Sequence, residues 1–405
     1  MARSTTCKWS DVITSTLLAG TAALLGLGAL EACALRRARR ALRYRIHVNG
    51  TRGKSSVTRL IAAGLRAGGI RTCAKITGTN ARMILPDGSE FPVYRLSRPN
   101  VIEQVRMIRV AAAEGAEALV LECMALQPHL QALTELDMLQ ATHGVITNAR
   151  PDHLDVMGPD ARAVAHALAG TTPLAGRLYT CEEQHRDVLV AAARDRGAEL
   201  IALEAGAEPS AEEMAGFSYA EHPANVALAL RLCADLGVER ASALAAMHAC
   251  EPDEGCSRHY QLDYFGRALT FVNGFAANDP ESTEELWRDA CRRYSEAERR
   301  LLVVNCRFDR GDRSRQLGEA CVDWPATDDL IVIGSGTYLF ARAATRAGVD
   351  PARLVLAEGL SANEVFELIL ERASREALVV GAGNVAGPGL PLVRLFRNRA
   401  RLEAC

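Results

Sequence analysis

Seven residues, Gly50-Thr51-Arg52-Gly53-Lys54-Ser55-Ser56, stand between the alternating apolar run Tyr44, Ile46, Val48 and the helical pattern Val57, Leu60, Ile61, Leu65. A strand, a glycine-bearing turn and a helix N-terminus in that order admit few folds, because they direct several backbone N–H groups and the positive helix end toward one anion. The pattern predicts a phosphate-binding loop on an α/β scaffold, with Lys54 reaching the terminal phosphates of a nucleoside triphosphate and Ser55 able to ligate magnesium. Position 48, where the longer form of such a loop has glycine, holds Val48, so this is the shortened form, with Asn49 and Gly50 making the turn. The bland alternative is an ordinary glycine-rich strand-to-helix turn. Against it, the chain has three lysines (Lys8, Lys54, Lys75) and 44 arginines, and one of the three lysines sits in this loop. A compact ammonium suits a point contact to phosphate oxygens where a guanidinium fork would crowd the turn.

Upstream, Val12 to Leu30 is a run of 19 residues without a charge, followed by Arg36, Arg37, Arg39, Arg40, Arg43 and Arg45. Such a run covers about 30 Å of hydrocarbon, and the arginine excess places the remainder of the chain on the cytoplasmic side. The expectation is a single-pass anchor in the cell membrane with the catalytic domains in the cytoplasm. A cleaved signal peptide is the rival, with Leu30-Glu31-Ala32-Cys33 faintly resembling a lipoprotein site, but export would separate a triphosphate site from its substrate. A net charge of -2 gives no case for nucleic acid. The twelve cysteines include no Cys-x-x-Cys pair and read as reduced cytosolic thiols, and the loose set His248, Cys250, Cys256, His259 matches no standard metal spacing.

Strand patterns at Ala118–Leu121, His143–Thr147 and Arg177–Cys181 alternate with helices, as in a doubly wound α/β domain. A helix over Pro223–Leu236 stops at Gly237, and Glu251–Ser257, with Pro252 and Gly255, reads as a linker. Further strands are expected at Leu301–Asn305, Leu330–Gly334, Leu354–Ala357 and Ala377–Gly381. This gives three parts: an N-terminal segment at 1–35, an ATP-binding domain at 36–250 and a smaller α/β domain at 251–405. Gly381-Ala382-Gly383-Asn384-Val385-Ala386-Gly387 tempts a dinucleotide reading. Its third glycine is one place late, no helix clearly follows and Pro388 interrupts, so a tight turn at a strand end is expected instead. Glu122, ending an apolar strand, is placed to hold magnesium. The loop from Thr147 through Asn148, Asp152, His153 and Asp155 gathers oxygen and nitrogen donors, and His153 is a candidate ligand or phosphate contact.

Thr51-Arg52-Gly53-Lys54-Ser55, Glu122-Cys123-Met124-Ala125, Thr147-Asn148 through Asp152-His153-Leu154-Asp155, and Asn225 at a helix start resemble the ordered motifs of the Mur ligase superfamily. With the anchor, Glu-Cys-Met-Ala-Leu-Gln-Pro and the late Asn305-Cys306-Arg307-Phe308-Asp309-Arg310-Gly311-Asp312-Arg313-Ser314, the chain is most similar to the ligase subunits of capsule-type poly-γ-glutamate synthases, over nearly its whole length. The resemblance implies a transmembrane helix, a phosphate-loop central ATPase domain and a Rossmann-like C-terminal domain.

It also implies roles. Lys54 would hold the β and γ phosphates, Ser55 and Glu122 a first Mg2+, and His153 a second. Gly50, Thr51, Arg52, Gly53, Ser56, Asn148, Asn225, Arg258 and Asn278 would line the ATP site, and Arg313 would lie near the reacting carboxylate or the nucleotide. The chain departs from the family in places: Asn273 stands where aspartate is common, Ala277 where histidine is common, and Leu168 near the carbamylated lysine of many Mur ligases. The second metal must then be held differently or loosely. The implied reaction joins glutamate to a growing poly-γ-glutamate chain through an acyl phosphate, with small integral-membrane partner subunits handling the polymer. A homo-oligomer is compatible with this. Ligation of another amino acid or a folate-type acceptor, and a membrane-tethered ATPase that makes no bond, are the alternatives.

Overall fold

Strand β1 (Tyr44–Asn49) lies at the centre of an eight-stranded sheet, between two parallel neighbours. The other strands are β2 (Thr72–Ile76), β3 (Arg82–Ile84), β4 (Glu90–Pro92), β5 (Ala118–Glu122), β6 (His143–Ile146), β7 (Arg177–Thr180) and β8 (Glu199–Ala202), in the order β4-β3-β2-β5-β1-β6-β7-β8. In sheet order the pairing is parallel from β2 to β8, and β3 alone runs against the rest, pairing antiparallel with both β2 and β4. From β1 the chain returns on one side of the sheet to β2, whereas from β6 it continues on the other side to β7. The switch point of the sheet therefore lies between β1 and β6, where ligands of such sheets gather.

Both faces are covered, so the strands read as near-continuous apolar runs. Leu119 and Leu121 of β5 face a cluster with Met107, Ile108 and Ala111, and Ile146 and Leu178 face another with Val164, Leu168 and Leu189. Against the opposite face packs helix Lys54–Ala67, which is buried all round from Val57 to Leu65, Thr58 and Arg59 included. Arg59 is tolerated there because Glu90 pairs with its guanidinium. Gly64 lets this helix approach its neighbours: a Cβ there would lie 2.6 Å from Cys233 Sγ and 3.0 Å from Met247 Cε.

The computed structural model describes residues 5–77, 81–95, 99–204, 206–252 and 257–400, with side chains from residue 12 onward. Residues up to 216 together with 222–250 form one compact unit, and 217–221 with 251 onward form a second. Gly255 of the expected linker and Cys256 of the loose metal set lie outside the described residues.

The N-terminal helix is longer than the uncharged run suggests, extending without a break over Thr5–Ala41. Beyond Leu30 its sequence is Ala, Leu and Arg with single Glu and Cys residues, all compatible with a helix interior, and no glycine or proline stops it. Its apolar half is exposed all round, with Val12, Leu17, Leu24 and Leu30 each more than half accessible, while Ala38 and the following Leu42 are buried in the first unit. By length and hydropathy it is the one helix among the described residues able to cross a membrane.

The second unit holds β9 (Arg258–Tyr264), β10 (Arg267–Asn273), β11 (Arg299–Cys306), β12 (Asp329–Gly334), β13 (Leu354–Glu358) and β14 (Glu376–Gly383) in the order β13-β12-β11-β14-β10-β9, all parallel except β9. One face packs Phe271 against Phe396, rings stacked with centroids 3.9 Å apart, and the other buries Trp287, whose Nε1 donates to the Pro325 carbonyl at 2.8 Å. The expectation that no helix follows the glycines after Gly381 is overturned: helix Gly389–Arg399 does follow. Pro388 is at its N-cap, where the missing N–H is no loss.

Candidate functional site

Strand β1 delivers the chain into the loop through Asn49, whose Oδ1 accepts from Gly50 N at 2.9 Å. Its amide nitrogen donates to Gln131 Oε1 at 2.8 Å and to Thr171 Oγ1 at 3.2 Å, so a buried polar network fixes the start of the turn. Gly50 (φ +136°) and Gly53 (φ +80°) adopt left-handed backbone that disfavours side chains. Space excludes them too. A Cβ at Gly50 would lie 1.9 Å from Thr147 Oγ1, and one at Gly53 would lie 2.5 Å from Asn225 Oδ1. Asn225, at the start of helix Pro223–Asp235, thus abuts the loop.

The segment after β6 clamps the loop from the switch-point side. Thr51 Oγ1 and Arg52 N donate to Asn148 Oδ1 at 2.7 and 3.1 Å, Thr51 N donates to the Asn148 carbonyl at 3.1 Å, and Thr147 Oγ1 donates to the Arg52 carbonyl at 2.5 Å. The N–H groups of Gly50, Thr51 and Arg52 are therefore spent inside the protein. The donors left to an anion are the first-turn N–H groups of helix Lys54–Ala67, including those of Lys54, Ser55 and Ser56, which have no intrahelical acceptor.

Lys54 Nζ donates to the carbonyls of Gly50 at 2.5 Å and Thr51 at 3.3 Å. Burial of the ammonium pulls its pKa below the ordinary lysine value, while the nearby carboxylates of Glu122 and Asp152 oppose that shift. Glu122, buried at the end of β5, accepts at Oε2 from Ser55 Oγ at 3.1 Å and from Thr77 N at 2.6 Å. Two hard oxygen donors at this spacing suit one octahedral cation, since neighbouring ligands at 2.0–2.1 Å from Mg2+ lie ~2.9 Å apart. Ser55, Lys54 and Glu122 are thus brought together around one place. His153 sits on the loop after β6 in left-handed conformation (φ 48°), its Nε2 3.9 Å from Asp152 Oδ1.

In the second unit, Arg258 opens β9 and pairs with Glu251 at 3.6 Å. Asn278 precedes Asp279, the N-cap of helix Pro280–Arg293. Arg313, on helix Gly311–Ala320, donates to Asn384 Oδ1 at 3.5 Å, and Asn305 Nδ2 fastens the glycine-rich loop through the carbonyls of Asn384 at 2.5 Å and Ala386 at 2.7 Å. His248 is hydrogen-bonded to the Glu213 carbonyl and His259 to Tyr294, and no group of three or more His, Cys, Asp or Glu among the described residues could hold a metal.

Two supporting residues escape sequence reasoning, Gln131 and Lys75, and so does the grip of Thr147 on the Arg52 carbonyl. Lys75, fully buried on β2, pairs with Glu103 at 2.7 Å and donates to Gln104 Oε1 at 3.1 Å, while Gln104 Nε2 donates to the Glu122 carbonyl at 3.1 Å. The scarcity of lysine was the one available signal. A charged residue in an otherwise apolar strand announces a partner but not which one.

Residues 48–169 match the Mur ligase middle domain and residues 259–399 the poly-gamma-glutamate synthase CapB C-terminal domain. The chain is 34% identical to the PGA synthase CapB of Bacillus subtilis over 93% of its own length and 96% of that protein. It is 35% identical to the capsule biosynthesis protein CapB of Bacillus anthracis, over 87% of this chain and 76% of that one. Among solved structures, the folylpolyglutamate synthase of Mycobacterium tuberculosis complexed with ADP has the same fold (TM-score 0.64, 18% identity, covering 91% of this chain and 94% of that one). So does the Yersinia pestis folylpolyglutamate synthase/dihydrofolate synthase complexed with AMPPNP and Mn ion (TM-score 0.63, 13% identity, 91% of each chain). A Mur ligase middle domain followed by a CapB C-terminal domain, with this identity along nearly the whole chain, makes it a member of the poly-γ-glutamate synthase CapB family.

Proposed function

We propose that the chain is an ATP-dependent γ-glutamyl ligase that extends poly-γ-glutamate. The convergence of Lys54, Ser55 and Glu122 at the carboxyl ends of β1 and β5, beside the β1/β6 switch point, carries this reading, because it joins the parts that phosphoryl transfer requires. Lys54 exchanges the Gly50 and Thr51 carbonyls for the β and γ phosphates of ATP, and the first-turn N–H groups of its helix hold the phosphate oxygens. Ser55 and Glu122 would hold Mg2+, which would supply charge neutralisation at the transferring group, and His153 would serve a second, more loosely held cation. Asn225, against Gly53, borders the nucleotide. Arg258, Asn278 and Arg313 are assigned to nucleotide and carboxylate contacts by the family motifs they match.

A carboxylate oxygen of the polymer end attacks the γ-phosphorus, ADP leaves, and an acyl phosphate forms. The amine of the incoming glutamate attacks the acyl carbon, phosphate leaves with the C–O electron pair, and loss of a proton gives the amide. No covalent enzyme intermediate is needed, so the protein's work is positioning, charge neutralisation and exclusion of water. The N-terminal helix anchors the chain in the cell membrane with both units in the cytoplasm, where small membrane subunits can take the polymer.

Hydroxamate formation tests the reading. Membranes carrying the chain receive Mg-ATP, hydroxylamine and either glutamate or oligo-γ-glutamate, with Lys54→Ala beside them. Hydroxamate that requires the oligo-γ-glutamate acid and disappears in Lys54→Ala is expected. ATP hydrolysis that is indifferent to any acid, with no hydroxamate when membrane partners are present, would identify a tethered ATPase instead.

A further inference from the structure

Arg109 ties helix Glu103–Ala113 to the point where the N-terminal helix leaves its apolar stretch. Its Nη2 donates to the main-chain oxygen of Glu31 at 3.2 Å and to Glu31 Oε1 at 3.3 Å. Glu31 is the first charged residue after the uncharged run Val12–Leu30. With that run filling the hydrocarbon, Glu31 and Arg109 stand in the headgroup layer, which adds ~5–7 Å on each side of the apolar core. The inner side of helix Glu103–Ala113, with Met107, Ile108 and Ala111, is locked into the cluster that holds Ala38 and Leu42, so its placement beside the anchor is fixed by packing.

Its outer side is built for an interface. Residues three and four apart share a helix face, which aligns Ile102, Arg106 and Arg109. Ile102 is 64% exposed and Arg106 is exposed. Arg106 Nη1 donates to the Tyr94 carbonyl at 3.5 Å, which brings Tyr94, 71% exposed, beside the same stripe. On the anchor itself Arg36, Arg37 and Arg40 are exposed. Glu31 offsets part of the charge of Arg109, and the arginine excess remains.

We propose that this stripe lies on an anionic bilayer surface: Arg106 and Arg109, with Arg36 and Arg37, pair with lipid phosphates while Ile102 and the Tyr94 ring enter the interface. Basic side chains above an apolar and aromatic contact are the composition of membrane-surface faces, and a phenol suits the boundary because its ring is apolar and its tip wet. The inference rests on the membrane-anchor reading of the N-terminal helix. It adds that the first unit is pressed against the membrane by a particular face and is not merely tethered near it.

Tryptophan quenching by bromine-substituted acyl chains tests it, with the full chain in nanodiscs of phosphatidylcholine alone or mixed with phosphatidylglycerol. Native Trp9, in the N-terminal helix, reports insertion, and Ile102→Trp reports the stripe. Val190→Trp, at a 48% exposed site on helix Arg186–Asp195, is the control. Expected are quenching of Trp9 in the native chain, additional quenching in Ile102→Trp that is stronger with phosphatidylglycerol, none in Val190→Trp, and loss of the additional quenching when Arg106→Glu and Arg109→Glu are added. If Trp9 is quenched but Ile102→Trp behaves like Val190→Trp, the anchor stands and the docking face is refuted, leaving the stripe to a protein partner. If Trp9 itself escapes quenching, the anchor reading fails and this inference with it.

Discussion

Glu135→Gln removes the charge that keeps a histidine protonated in the protein core. His47 is the inward residue of β1 two places before Asn49, and its Nδ1 lies 2.8 Å from Glu135 Oε2, both side chains being almost wholly buried. The other carboxylate oxygen accepts from Ala141 N at 2.8 Å. Burial works against the imidazolium, but the Cys123 sulfur and the Glu135 carboxylate outweigh it and hold the His47 pKa up at about 10. No hydrogen bond of ordinary geometry reaches Nε2 among the described residues, and Glu135 shares the attraction with the Cys123 sulfur while supplying the short contact to Nδ1. Because the folded value lies above the ordinary 6.5, the folded chain keeps a proton that the unfolded chain releases. The resulting stabilisation is complete below pH ~6.5 and is lost as pH rises through about 10. At about 1.4 kcal/mol per pH unit that interval amounts to ~5 kcal/mol, in line with the ~3–5 kcal/mol lost when one partner of a buried pair is removed. Amide exchange of β1 peptides reads the first unit, while Trp287 and Trp324 fluorescence reads the second. Glu135→Gln should speed β1 exchange by about two to three orders of magnitude below pH ~6.5, with the gap to the native chain closing toward pH 10 and the fluorescence unchanged. A gap under about tenfold at the acid end, or one that widens with pH, would refute the argument.

Asn148→Ala deletes the clamp on Thr51 and Arg52, and with each hydrogen bond contributing ~0.5–1.5 kcal/mol, ATP affinity should fall about 10- to 100-fold at unchanged circular dichroism; calorimetric titration with ATP checks this, and an unchanged Kd would show the loop holds its shape alone. Gly64→Val forces a side chain into Cys233 and Met247, and should destabilise the first unit by ~1–3 kcal/mol in urea unfolding followed by β1 exchange. Phe396→Ala empties the stack against Phe271 and should lower the stability of the second unit by ~3–5 kcal/mol, read from tryptophan fluorescence.

The part of the site legible in the sequence was local. The Tyr44–Asn49 strand, the glycine turn and the helix after it succeed one another without interruption, so residue types alone locate Lys54, Ser55 and, at the next central strand end, Glu122. The rest depends on which strands become neighbours. Thr147 and Asn148 grip Thr51 and Arg52 only because β6 lies beside β1, and nothing in either segment names the other. Gln131 meets Asn49, and Glu135 meets His47, through a helix that ends in one π-helical turn over Thr134–Leu139, whose extra residue per turn no periodicity rule anticipates. β2 is obscured because Lys75 breaks its apolar pattern, and β9 because an edge strand with exposed Gln261 and Asp263 carries a weak signal. Helix Gly389–Arg399 is hidden in the sequence because Pro388, a barrier inside a helix, is harmless at its start.

A helix that runs unbroken from Thr5 to Ala41 and is gripped through Ala38 and Leu42 is a shaft and not a leash. A flexible linker of the ten residues between Leu30 and Ala41 would let its cargo wander by roughly 5–6 Å × √n in any direction, whereas the helix transmits rotation. Each residue of helix turns the attached body by about 100°, so under the proposed membrane anchoring the compass bearing of the first unit in the membrane plane is set by the helical phase of residues 31–37. Partners embedded in the same bilayer would then meet the ligase from one side only, and a single inserted alanine there would swing that side away.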